Sequence, residues 1–402
     1  MSVSPPRLSR RTFVGSALKV GAALTLAAPL GACQAVSSLT GGSKLPPVRI
    51  GYLPITDAAA LLVAHAQGHF QAEGLDVEQP TLFRGWSQIA EAFMAGQVNV
   101  VHLLMPSAVW MRYSVKYPAK VVAWAHVNGS ALTVAGRGIA KLADLGGKRI
   151  AVPFWYSIHN VILGIMLRSA GLQVVVQEPS QPVPPSSTNL LVMAPPDMPT
   201  ALSNGSIDGY IVAEPFNAAG ELLAGGRIQR FTGDVWKDHA CCVVVMREED
   251  IANRAWSQRV VNAIVRAQQW LHEHTQEGAR LLSKDGKGYL PMPADVVTRA
   301  MTHYPTEEYG PSGAIRHPEW QIRRIGFQPF PYPSYTMELI RQLKQTHVEG
   351  DRAFLDALTP EHAAGDLVVE DLVREAYRSV VSPEAFGLSG ERAFTRQEVI
   401  DV

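Results

Sequence analysis

Arg49-Ile50-Gly51-Tyr52-Leu53-Pro54-Ile55-Thr56-Asp57-Ala58-Ala59 decides how this 402-residue chain is read. A short apolar run enters a Pro-containing turn, and a helical pattern begins at Thr56 and Asp57. Such a strand-to-helix junction leaves backbone N–H groups unpaired beyond the strand end, where they favour a small anion or a carboxylate. Function is therefore expected to gather at this edge, and residues 49–106 set the frame for the rest.

Outward from that stretch, short apolar runs alternate with segments of helical period. Strands are predicted at 48–53, 75–82, 98–104, 119–125 and 131–134, with helices over 58–67, 86–95 and 106–115. This is the βαβ pattern of a mainly parallel sheet. A second α/β set follows, with strands at 148–153, 172–177, 207–212 and 227–232, a helix over 158–170 and a Pro/Ser-rich loop over 178–188. From Cys241 a strand leads into long helical segments, notably 255–273. The pattern predicts a two-part body over 48–128 and 129–238, closed by 239–402, with the chain crossing near Gly129 and again near Asp238.

Ahead of the body, Ser9-Arg10-Arg11-Thr12-Phe13 is a twin-arginine pattern, followed by an Ala/Gly-rich apolar run. Leu30-Gly31-Ala32-Cys33 resembles a lipobox. Residues 1–32 read as a lipoprotein signal peptide and 33–47 as a flexible tether, with Cys33 carrying lipid that holds the protein at a membrane without spanning it. Export by the twin-arginine route to the periplasm or cell surface is expected. The leader holds four of the 36 basic residues and none of the 36 acidic ones, so the remainder carries a net charge near −4. That balance gives no reason to expect nucleic acid as a partner.

Of three cysteines, Cys33 belongs to the lipid signal and Cys241-Cys242 are adjacent. Adjacent cysteines fit disulfide geometry poorly, so in a strand over 241–246 they are read as alternating, buried small hydrophobes. No CxxC or histidine spacing accompanies them, and neither a metal nor a cofactor is expected. A pairing of His239 with Cys241 is the one candidate for a nucleophile beside a base.

Ligands of α/β sheets bind beyond the carboxyl ends of strands. The loops to inspect are 54–57, 83–86, 102–106, 128–130, 154–159, 214–217 and 236–239. They carry aromatics, amides, hydroxyls, histidines and one lysine, a set suited to recognition more than catalysis.

Several of these segments together resemble the nitrate, sulfonate and bicarbonate group of periplasmic solute-binding proteins that feed ABC importers. They are Gly51 to Asp57, Arg84-Gly85-Trp86-Ser87-Gln88-Ile89, Val101 to Pro106, Asn128-Gly129-Ser130, Gly209 to Asn217 and Asp234-Val235-Trp236-Lys237-Asp238-His239. The resemblance implies an α/β, two-lobed periplasmic binding protein of the type II, Venus-flytrap kind, with mainly parallel sheets and a helical C-terminal part. It also implies a ligand shell of Trp86, Ser130, His159 and Lys237.

Thr56, Asp57, His102, Trp155, Tyr156 and Glu214 complete the candidate ligand-binding set. Lys237 would offer a compact positive charge, His159 a donor and Trp86 an indole N–H with a flat wall. Glu214 would repel an anion and is expected to hold the crossover or meet a cationic part of the ligand. Ser130 stands where a nitrate binder is expected to carry glutamine, and Phe154-Trp155-Tyr156 replaces a glycine-rich turn, which puts nitrate itself in doubt.

The function expected is capture of a small polar solute, an oxyanion or organic anion, for an ABC permease and ATPase, by a monomer. The alternatives are an enzyme on the same architecture, related to thiamine-precursor proteins, and a solute sensor.

Overall fold

A computed structural model describes residues 45–402 apart from Arg137 and Pro179. The leader, the lipobox cysteine and most of the tether lie outside the described residues. In chain order the strands are β1 (Ile50–Tyr52), β2 (Thr81–Leu82), β3 (Val100–Leu104), β4 (Ala119–Trp124), β5 (Val127–Asn128), β6 (Ser130–Ala135), β7 (Arg149–Val152), β8 (Gln173–Val175), β9 (Ser187–Val192), β10 (Gly209–Ala213), β11 (Gly226–Phe231), β12 (Cys242–Arg247) and β13 (Ile325–Gly326).

Two larger sheets organise them. The first has the order β2-β1-β3-β12-β4 and the second β11-β6-β10-β7-β9-β8. Parallel pairs form one side of each sheet, β2-β1-β3 and β10-β7-β9-β8. Antiparallel pairs form wherever β12 or β6 takes part. The chain leaves the first sheet after Trp124, enters the second at Ser130, and returns between Phe231 and Cys242. A small ladder of β5 with β13 lies on the outgoing passage.

That passage needs a left-handed backbone. Asn128 and Gly129 have φ of +59° and +76°, a conformation glycine adopts without steric cost. A Cβ on Gly129 would also come within 3.1 Å of His126 Nδ1 and of Ile325. The glycine thus lets the passage fold against its own histidine.

Burial explains the strand composition. All five β3 residues are buried, and β12 is buried except at Arg247, so these strands read as apolar runs without alternation. The helices Ala59–Ala66 and Arg254–Glu273 pack together, and the second buries Trp256, Val260, Ile264 and Leu271. The C-terminal part reaches both sheets: Asp371–Ser379 packs on β4 of the first, and Pro333–Gln345 on Ile158–Ser169, which lies against β8 and β10 of the second. Among the described residues no helix is long and apolar enough to cross a membrane.

Two local expectations are corrected. The strand predicted over 75–82 shrinks to β2 with a single bridge from Val77 to Val48, because Pro80 has no N–H to give an edge ladder. Strand β9 was hidden behind the Pro/Ser-rich loop; its apolar core, Leu190-Leu191-Val192, is too short for periodicity to reveal. The helix Ile158–Ser169 is capped by Ser157, whose Oγ accepts from the Asn160 N–H at 3.0 Å. The Asn160 side-chain amide donates to the carbonyls of Trp155 and His347.

Candidate functional site

Thr56 and Asp57 lie in a 3-10 turn directly after β1, both fully buried. The Thr56 N–H donates to the Glu214 carbonyl at 2.8 Å, and its hydroxyl to the same oxygen at 3.2 Å. The turn after the first strand is thereby fastened to the end of β10 in the second sheet. Glu214 itself is neutralised: Arg324 Nε lies 2.8 Å from its Oε1, and the Ala218 N–H donates to Oε2 at 3.0 Å. Both partners are fully buried, so the carboxylate presents little free charge to a ligand.

Asp57 belongs to a denser group. Its Oδ2 is 2.9 Å from His126 Nε2 and receives the Cys241 thiol at 3.2 Å. Cys241 Sγ is 3.8 Å from His159 Nε2, which meets Ser130 Oγ at 2.9 Å. The Cys242 backbone nitrogen lies 3.2 Å from His126 Nε2. Every one of these side chains is buried.

Electrostatics inside the group follow from burial and proximity. Burial and the neighbouring Cys241 push the Asp57 carboxyl up to about 6, against the opposing pull of His126. Burial opposes charge on His126 as well, yet the Asp57 carboxylate outweighs it and holds the imidazole up at about 10. One proton is therefore held on the Asp57–His126 line. Burial also resists ionisation of Cys241, but a hydrogen bond from the Cys242 thiol and the nearby His159 and His126 bring this thiol well down, while burial and Cys241 drive Cys242 well up.

His102 and Trp86 form a second group beside it. The Leu53 N–H donates to His102 Nε2 at 2.8 Å, and burial lowers His102 to about 3, so the ring is neutral with its proton on Nδ1. That Nδ1 has no partner among the described residues, and neither has Trp86 Nε1. The two rings lie 5.6 Å apart, centroid to centroid. Asp57 Oδ1 and the Nδ1 atoms of His126, His159 and His239 are also buried without a partner. His239 Nε2 meets Thr232 Oγ1 at 2.9 Å, and Thr232 Oγ1 donates to the Ser130 carbonyl at 3.0 Å. So many unpartnered polar atoms in one region are unusual for a protein interior.

The structure thus brings Thr56, Asp57, His102, Ser130, His159 and Glu214 to one place, with Trp86 against His102. Trp155 and Tyr156 turn elsewhere. Trp155 packs edge-on to His347, while Tyr156 stacks on Trp110 and donates its hydroxyl to the Asp351 carbonyl at 3.1 Å. Lys237 is half-buried; its backbone N–H donates to the Val399 carbonyl, and its ammonium group makes no hydrogen bond or ion pair among the described residues.

His126, Cys241 and Cys242 were not in the predicted set. The cysteines do not alternate as expected: Cys241 precedes β12, and both sulfurs lie within 4.8 Å of the Asp57 and His126 ligand atoms. The signal for His126 was its place just after the strand over 119–125, at the start of the passage.

The fold defines the class: an α/β periplasmic binding-protein fold with two sheets bridged by crossing segments. Residues 41–283 match the NMT1-like family, and the chain belongs to it. It is 26% identical over 275 residues to the nitrate/nitrite binding protein NrtA of a Nostoc strain, a match covering 63% of this chain and 60% of that one. A match to the nitrate import ATP-binding protein NrtC of Synechocystis, 28% identical, covers 55% of this chain and 34% of that one. The chain therefore spans less than two thirds of these two relatives.

Among solved structures, the periplasmic nitrate-binding protein NrtA of Synechocystis superposes with a TM-score of 0.69 at 18% identity, over 88% of this chain and 93% of that one. The ligand-binding component of an ABC-type import system from Staphylococcus aureus, solved with zinc bound, gives 0.63 at 23% identity, over 83% and 99%. Both likenesses are of fold.

Proposed function

We propose that this protein is an exported solute-binding lipoprotein that captures a small oxyanion or organic anion between its two sheets for an ABC importer. The observation that carries the reading is the adjacent pair of buried N–H donors, Trp86 Nε1 and His102 Nδ1, neither with an acceptor. Buried donors without partners cost about 1–3 kcal/mol each, a cost that an anion accepting from both would remove. The Nδ1 atoms of His159 and His239 extend the same layer. The relatives named for nitrate binding and nitrate import support the class of solute, while Ser130, which meets His159 in place of the glutamine expected of a nitrate binder, favours an anion other than nitrate. Two lobes closing at the passages near Gly129 and Asp238, a lipid on Cys33, a monomeric state, and a permease and ATPase as partners complete the proposal.

Titration calorimetry with nitrate, nitrite, bicarbonate, sulfonates and small heterocyclic acids tests it. Saturable binding of at least one, weakened in His102→Ala, is expected; heat from none of them overturns the anion reading. Recovery of the bound ligand unchanged, by mass spectrometry, separates capture from turnover, and conversion would favour an enzyme on this fold.

A further inference from the structure

Three separate chain segments converge on one point of the interior. Asp57 comes from the turn after β1, His126 from the passage that leaves the first sheet, and Cys241-Cys242 from the passage that returns to it. One carboxylate oxygen, one imidazole nitrogen and two sulfurs all lie within 4.8 Å of one another, and the four side chains are fully buried.

We infer that these four residues form a binding site for a divalent cation of the zinc class, closed in the manner of a structural site. Tetrahedral zinc has bonds of about 2.0–2.2 Å to nitrogen and oxygen and about 2.3 Å to sulfur, which sets donor atoms roughly 3.3–3.8 Å apart. The Asp57–His126 and Cys241–Asp57 separations of 2.9 and 3.2 Å are within a few tenths of that spacing. A mixed sulfur, nitrogen and oxygen set suits a borderline-soft ion, whereas calcium and magnesium require oxygen donors alone.

A second observation points the same way. Asp57 Oδ1 is fully buried and has no partner, although a carboxylate in the interior is costly unless both oxygens are satisfied. A cation shared by the carboxylate and the two sulfurs would balance the negative charge that these groups bring together. On binding, each thiol that ligates gives its proton to solvent, so loading releases protons.

Placement gives the site a consequence. It links the turn after β1 to both passages between the sheets, the segments on which any relative movement of the sheets turns. His159 Nε2, 3.8 Å from Cys241 Sγ, is engaged by Ser130 and stands outside the four donors. Metal binding is independent of the anion reading, because none of its ligands is Trp86 or His102.

Cobalt(II) titration of the full chain carrying Cys33→Ser tests the site, since the remaining thiols are then Cys241 and Cys242 alone. The expected result is one cobalt per chain, with a thiolate-to-metal charge-transfer band in the near-ultraviolet and the visible bands of tetrahedral cobalt. Zinc should bleach both and should protect both thiols from alkylation. Cys241→Ser and Cys242→Ser should each weaken binding by about a hundredfold, since losing even an outer partner of a ligand costs 10–100-fold. Absence of the charge-transfer band, or zinc binding that leaves both thiols fully reactive, overturns the site. These wild-type ligand readouts decide even if the serine variants fail to fold, and anion calorimetry on the same sample reports the other site separately.

Discussion

Asp57 Oδ2 and His126 Nε2 meet at 2.9 Å with both side chains wholly out of solvent. The contact joins the turn that follows the first strand to the segment by which the chain leaves the first sheet. Breaking a buried pair by removing one partner costs about 3–5 kcal/mol, because the other charge is left without compensation. Asp57→Ala should therefore lower the urea midpoint by that equivalent at neutral pH in the metal-free protein. A change below 1 kcal/mol would show that the pair contributes little to the fold.

Glu214 and Arg324 form a second buried pair that closes the other side of the region. Arg324→Met alone should destabilise by about 3–5 kcal/mol, since Glu214 stays buried with only the Ala218 N–H as a partner. The double variant Glu214→Gln with Arg324→Met should recover more than half of that loss. Equilibrium denaturation of both variants checks it, and equal losses in the two would contradict it.

Trp86 separates recognition from stability. Its indole N–H is buried and unpartnered, so Trp86→Phe removes no hydrogen bond from the free protein and should change the melting temperature by little. A hydrogen bond to a charged acceptor contributes about 1.5–3 kcal/mol, so affinity for the captured anion should fall about 10- to 100-fold. Calorimetry with the anion found for the parent protein measures it, and unchanged affinity would remove Trp86 from the site.

Asp366 should contribute to the loss of stability on the acid side. Hydrogen bonds from Arg112, with Tyr113 OH at 2.9 Å and Lys120 Nζ at 3.3 Å, hold its carboxyl well below the usual carboxylate range. With the folded value depressed, its contribution is complete above the unfolded value near 4 and is lost as pH falls through and below that range. The melting temperature of the parent protein should drop between about pH 5 and pH 2 more steeply than that of Asp366→Asn, which should be the less stable of the two at pH 7. Parallel curves would assign acid sensitivity to other groups.

Much of the architecture is local in origin and was legible in the order of residues. Apolar runs such as Val100 to Leu104 and helical periods such as that of Arg254–Glu273 announce themselves within one element. The turn at Thr56 and Asp57 and the passage at Gly129 were visible for the same reason: backbone preference is a property of a few neighbouring residues.

Pairing across long separations is another matter. Asp57 and Cys241 are 184 residues apart and His126 and Cys242 are 116 apart, and no periodicity records which distant strand ends will share a layer. Cys241 and Cys242 converge instead of alternating, with both sulfurs within 4.8 Å of the Asp57 and His126 ligand atoms, donors from distant segments. The same holds for Glu214, whose neutralising Arg324 lies 110 residues away. The sequence by itself determined the two α/β sets and the turn that follows the first strand. Only the tertiary structure decided which buried groups meet there, because burial and charge pairing are set by contacts between segments and not within them.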